Sequence, residues 1–201
     1  MRRIILFLCL ALAAGFLMIQ TGRGQAPRSA AAVGPAGQPV FTPSGELVRP
    51  QGYRRWVFLS SGYGMSYSQA ASEHLMFTNV FVSPGSYDYF VEHGNWPDKT
   101  MFVLEIYSSA SKGSINVHGN YQSEAVGLDV EVKDESRFPD KWAYFGFENG
   151  QKSSAATKPG QNACWKCHDQ HAAVEHSFVQ FYPELLKIAK EKGTIKPGLT
   201  L

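Results

Sequence analysis

Cysteine is scarce in this chain, with three in 201 residues. Cys9 lies in an apolar N-terminal run, and Cys164 and Cys167 stand close together near the other end. A secreted domain held by disulfides needs more pairs than that, so a disulfide framework is excluded. An excess of charge of one sign is also lacking. The formal net charge is +2 and no run of basic residues exceeds two. That speaks against a nucleic-acid surface and against a polybasic membrane patch. No internal repeat is visible. No βαβ rhythm appears either, which removes the parallel-sheet classes.

What is present is enough for one core. Hydrophobic residues make up 44% and aromatic residues 13% of the chain, and the length suits one ordinary domain with a short extension. The extension begins with Arg2 and Arg3 and continues into an apolar run from Ile4. That run falls short of the about 20 residues of a full membrane span. Residues 1–26 are expected to be a signal peptide or an N-terminal anchor, placing the protein in the periplasm or otherwise outside the cytoplasm. Their removal takes Arg2, Arg3, Arg23 and Cys9, which turns the net charge to −1 and leaves one cysteine pair. Residues 27–44, rich in Ala, Gly and Pro, read as a flexible linker, and residues 45–201 as the folded domain.

Within that domain, strands are expected at 53–60, 76–82, 100–107, 125–134 and 141–149, from their aromatic, β-branched or alternating content. In "AVGLDVEVKD", Val126, Leu128, Val130 and Val132 are expected on one face, with Ala125, Gly127, Asp129 and Glu131 on the other. One helix is punctuated by Ser83 as N-cap, Pro84 at its first position and Gly94 past its end, and another runs from Pro183 to a stop at Gly193. The expected class is α+β: an antiparallel sheet of about four or five strands with flanking helices.

The stretch "NACWKCHDQH" carries the chemistry. A zinc finger needs about 12–15 residues between its CxxC and the first histidine, whereas three separate Cys167 from His171. A redox CxxC belongs beside a βαβ unit, which is missing. C-x-x-C-H is the signature of covalent haem attachment. On a helix, residues i, i+3 and i+4 share a face, so Cys164, Cys167 and His168 point at one object. Cys164 and Cys167 are then expected to form thioethers to haem c, and His168 to be the axial iron ligand. For the sixth position the candidates are Met65, Met76, Met101, His74, His93, His118, His171 and His176. None stands out, which favours an open iron.

Six segments in order resemble cytochrome P460 and its relative cytochrome c′-β: "GELVRPQGYRRWVF", "NVFVSPGSYDYFVEHGNWPDKTMFVLEIY", "GLDVEVKD", "KWAYFGF", "CWKCH" and "FVQFYPELL". The resemblance implies a homodimer with one five-coordinate haem c per chain, open on its distal side. P460 members carry a lysine cross-linked to the macrocycle, and here Leu104 stands in its place, without a nucleophile. Lys99 lies five residues away, so parity along a strand sends it to the opposite face. Asp129 takes the place of a distal glutamate, as a proton relay or as a partner for a bound ligand. The plainer alternative is a solvated acid. Thr78 replaces an arginine of some members. Leu104, Phe102, Phe81 and Thr78 are expected around the distal pocket. The implied function is binding of nitric oxide or a related small nitrogen-oxide or diatomic ligand. The alternatives are a P460-like oxidoreductase acting on hydroxylamine or nitric oxide, and a six-coordinate electron carrier serving a redox partner protein. No nucleic-acid partner is expected.

Overall fold

The computed structural model describes residues 37–66, 74–157, 163–199 and 201. The expected signal or anchor segment lies outside them. Five strands form one antiparallel sheet in sequence order: β2 (Val57–Tyr63), β3 (Met76–Val82), β4 (Met101–Ala110), β5 (Tyr121–Lys133) and β6 (Trp142–Glu148). Short β1 (Leu47–Val48) and β7 (Ser153–Ser154) pair separately. Helix α1 (Pro84–His93) follows β3, α2 (Ala163–His171) follows β7, and α3 (Pro183–Lys192) comes last. The α+β class and the strand count agree with the sequence.

Both longer helices keep their punctuation. Pro84 and Pro183 occupy first-turn positions, and Gly94 and Gly193 end their helices with φ of 76° and 69°. Gly94 is required twice over. A side chain there would strike Lys192 Cβ at 2.6 Å, because the ends of α1 and α3 meet at that point. Ser83 turns its hydroxyl to Ser86 Oγ at 2.9 Å instead of capping the backbone.

The sheet separates two cores. On one face Val82, Phe102 and Trp142 pack with Phe90, Trp96, Val179, Tyr182, Leu185 and Ala189 from the helices and their loops. On the other face Met101, Val103, Leu128, Val130, Val132, Phe145 and Phe147 pack beneath Leu47 and Phe41. Each fully buried side chain of this size contributes about 1.5–3 kcal/mol. Phe41 bridges to Leu47 and meets Phe138 and Phe145, so the folded part reaches back before residue 45.

Two expectations need correction. Residues Tyr53–Arg55 form a 3₁₀ turn, and the strand begins at Val57. The turn brings Tyr53 and Arg54 together on the buried Glu105 carboxylate, at 2.8 and 2.6 Å. In β5 the alternation breaks at Val126. Ile106 pairs with Gly127 but Tyr107 pairs with Ala125. The extra residue is a bulge that shifts the side-chain parity. Ala125 therefore does not share the face of Asp129, and Val126 is 46% exposed.

Asp134, just after β5, is buried and accepts from Ser136 Oγ at 2.8 Å and from the backbone N–H of Ser136 and Arg137 at 3.2 and 3.0 Å. It also pairs with Lys99, which stands in a left-handed turn before β4 (φ 66°). Burial alone would raise its pKa, but Lys99 and Ser136 hold it below the usual carboxylate range. Asp134→Asn is expected to lower stability by about 2 kcal/mol in a urea titration. The folded carboxyl binds its proton less readily than the unfolded one. Asp134's contribution is therefore complete above the unfolded value of 3.8 and fades as pH falls through the lower folded value. Acid melts of the two proteins should converge in that range.

Candidate functional site

Helix α2 carries the quoted cysteines and lies against β6. It contains no Gly, Pro or β-branched residue, all of which favour other backbone. Its C-terminal carbonyls are satisfied from downstream. Gln180 Nε2 donates to His171 O at 2.7 Å, Lys196 Nζ donates to Asp169 O at 2.8 Å, and the Ala172 N–H donates to His168 O at 3.1 Å. A cation at this end also suits the helix dipole.

The His168 ring packs between Tyr144 and Phe178, at centroid distances of 4.6 and 4.4 Å. Its Nδ1 donates to the His176 carbonyl at 2.6 Å. Glu131 Oε1 stands 3.5 Å from the same nitrogen, an ion-pair distance, while the shorter bond takes the proton. Burial opposes charging this imidazole, yet Glu131 and the His176 carbonyl more than offset it and its pKa is raised. With Nδ1 engaged, Nε2 is the nitrogen left to ligate a metal. The His176 ring sits within reach of Tyr144 OH (3.2 Å), and burial lowers its pKa to about 4.

The acceptor carbonyl of His176 belongs to a braced turn. Val174 and Ser177 bridge each other, Ser177 Oγ donates to Val174 O at 2.8 Å, and Trp96 Nε1 donates to Ser177 Oγ at 2.6 Å. The buried Lys133 ammonium, at the end of β5, donates to Glu175 Oε1 at 3.0 Å and to Trp96 O at 2.6 Å. Glu175 takes a left-handed φ of 52°, which the turn imposes on a residue with a Cβ.

Strand register decides which other residues join this face. One row across the sheet is Val82, Phe102, Glu131 and Tyr144. The next is Val80, Leu104, Asp129 and Gly146, and the third holds Thr78, Ile106, Gly127 and Glu148. Directly paired residues share a face, so Leu104, Thr78 and Asp129 lie on the side of α2. Phe102 lies there too, but it is buried in the helix-side core against Trp96. Phe81 does not belong with them. It pairs with Val103 and packs on Tyr53 and Phe58 on the opposite face, because it is one residue out of step with Val80 and Val82. Asp129 is exposed on the α2 side of the sheet, and its charge adds to the desolvation that raises the Cys164 pKa. Desolvation by the surrounding protein raises its own pKa. A side chain at Gly146 would come to 3.4 Å from Asp129 Oδ1, so glycine keeps the space over the acid open.

Of the candidate sixth ligands, Met101 is buried in the opposite core, and His93 stacks on Tyr89 at the end of α1. His171 ends α2, and His176 backs His168. Met65 lies over Gly62 beside Thr78, and Met76 shares strand parity with Thr78, so both are on the α2 side of the sheet. Lys99 does not adjoin Leu104 along the strand, since β4 begins at Met101 and the Lys99 amine is held by Asp134 and Ser136. Sequence reasoning gave no role to Glu131, Tyr144 or Trp165. Glu131 was within reach, being two residues from Asp129 on an alternating strand, whereas Tyr144 needs the register of β6.

The residues fit a haem of the c type. No disulfide joins Cys164 and Cys167, and desolvation raises the pKa of both, which disfavours the thiolate that dithiol exchange needs. Neutral thiols on the same helical face as an imidazole with a tied Nδ1 suit thioether attachment and axial ligation. Trp165, between the two cysteines, has a buried indole N–H without a partner among the described residues, a donor available to an acceptor on a bound group.

This is a haem-protein donor set on an antiparallel α+β scaffold. The cytochrome P460 family model matches residues 50–179, and the chain belongs to that family. No curated protein matches.

The brace behind His168 has a measurable cost of removal. Lys133→Ala leaves Glu175 half-buried without its cation, and should lower stability by about 2–3 kcal/mol in urea melts. The far-UV spectrum should be retained.

Proposed function

We propose that the protein is an exported mono-haem c-type cytochrome that binds nitric oxide or a related small ligand at an iron held on one side by His168. The observation that carries this reading is the arrangement on α2: two neutral thiols and an imidazole on one helical face, with Nδ1 tied to the His176 carbonyl. Cys164 and Cys167 would hold the haem through thioethers, an addition of the two thiols that needs no oxidant, and His168 would ligate its iron. The haem supplies an iron for ligand binding and one-electron chemistry. Val80, Leu104 and Ile106 offer an apolar surface on the α2 side, which favours a diatomic ligand over water. Export belongs to the reading because haem attachment of this kind takes place outside the cytoplasm.

Two treatments test it. Haem should remain on the protein after acid–acetone extraction and give a pyridine haemochrome. Cys164→Ala with Cys167→Ala should lose it, and His168→Ala should keep the haem but lose the native spectrum. The reduced protein should show a broad high-spin spectrum and bind nitric oxide. A sharp low-spin band that becomes high-spin in Met65→Ala or Met76→Ala would establish the electron-carrier alternative instead.

One observation favours a second reading. Asp129 has a raised pKa beside α2, in an open stretch of sheet, which suits a proton relay for oxidation of hydroxylamine. Turnover of hydroxylamine with an electron acceptor, lost in Asp129→Ala at unchanged haem content, would support catalysis. The absence of turnover in the wild-type protein leaves ligand binding.

A further inference from the structure

The Glu131 carboxylate has a place that ligand binding does not explain. It faces the helix side of the sheet, directly across from Tyr144, whose hydroxyl donates to Oε1 at 3.3 Å. That same oxygen stands 3.5 Å from His168 Nδ1, with side-chain exposures of 21% for His168 and 11% for Glu131. Among the described residues this is the ion pair Glu131 makes, and no Lys or Arg is paired with it. An anion this enclosed is costly unless it meets a positive partner. The imidazole is that partner, and it becomes a better one when its Nε2 is bound to a cationic metal centre.

We propose that Glu131 is a positioning residue that sets the donor strength of His168 towards the haem iron. The inference rests on the reading above, in which His168 is the iron ligand. The His176 carbonyl takes the Nδ1–H and fixes the ring plane, while Glu131 stands behind the ring as a fixed negative charge. A carboxylate behind a ligating imidazole raises its basicity and strengthens the metal bond. The same charge favours the ferric over the ferrous state, because the oxidised centre carries one more positive charge. Tyr144 moderates the effect by donating to the carboxylate and drawing off part of its charge.

The test uses the haem-loaded full-length protein and two readouts, reduction potential by spectroelectrochemistry and the ferrous iron–histidine stretching band by resonance Raman. Glu131→Gln should move the potential positive and the band to lower frequency. Glu124→Gln, an exposed acid on the same strand, should move neither. Tyr144→Phe leaves the carboxylate less neutralised and should move both readouts in the opposite direction. That reversal is one that loosened packing would not produce, and it keeps the test decisive if Glu131→Gln fails to hold haem. A haem-loaded Glu131→Gln protein matching wild type in both readouts overturns the role of Glu131 alone. A ferrous wild-type protein that is high-spin yet shows no iron–histidine band overturns it together with the assignment of His168.

Discussion

The hydrogen bond from His168 Nδ1 to the His176 carbonyl, 2.6 Å long, is the contact around which the site is built. It fixes which ring nitrogen is free and where the ring faces. Both of its ends are held by separate structures. The donor end rides on α2, whose last carbonyls are capped by Gln180 and Lys196. The acceptor end belongs to the 174–177 turn, which Trp96 and Lys133 clamp to the sheet. An imidazole held this way loses little freedom on ligating a metal, since its orientation is already fixed in the protein.

The two sheet faces do different work. One carries an ordinary apolar core on the side of β1 and β7, extended by Glu105 and its partners Tyr53, Arg54 and Asn79. Burial and the neighbouring Glu105 carboxylate push the Tyr53 pKa up to about 12, so that phenol remains a donor. The other face is divided along its length. The row of Phe102 and the rows near Trp142 close against the helices, and the rows of Leu104 and Ile106 stay partly open beside α2. A strand alternation that buries Leu128, Val130 and Val132 thereby delivers Asp129 and Glu131 to the side of α2 without any special turn.

Much of this was legible in the sequence because it depends on local rules. Pro84, Gly94, Pro183 and Gly193 mark helix ends by backbone chemistry, and the i, i+3, i+4 spacing of Cys164, Cys167 and His168 implies a shared face once the stretch is helical. The strand at 76–82 matches β3 residue for residue. What was not legible depends on pairing between distant segments. The bulge at Val126 follows from the register of β4 with β5, and Gly127, a glycine inside an alternating strand, is its one local hint in "AVGLDV". Phe81 was expected beside Thr78, yet the two lie three residues apart on one strand, and that odd spacing already sends them to opposite faces. The approach of Glu131 to His168 joins two segments 37 positions apart through the placement of α2 on the sheet.

The order of these segments along the chain has a kinetic meaning. The sheet is a meander in which each strand pairs with the next, so its contacts are comparatively local and form early as the chain emerges. The caps of α2 come afterwards, from Gln180 and Lys196, and the turn that receives His168 comes between them and the helix. The cysteine-bearing helix therefore depends for its closure on residues that lie after it in the chain, whereas the sheet beside it is built wholly from residues that precede it.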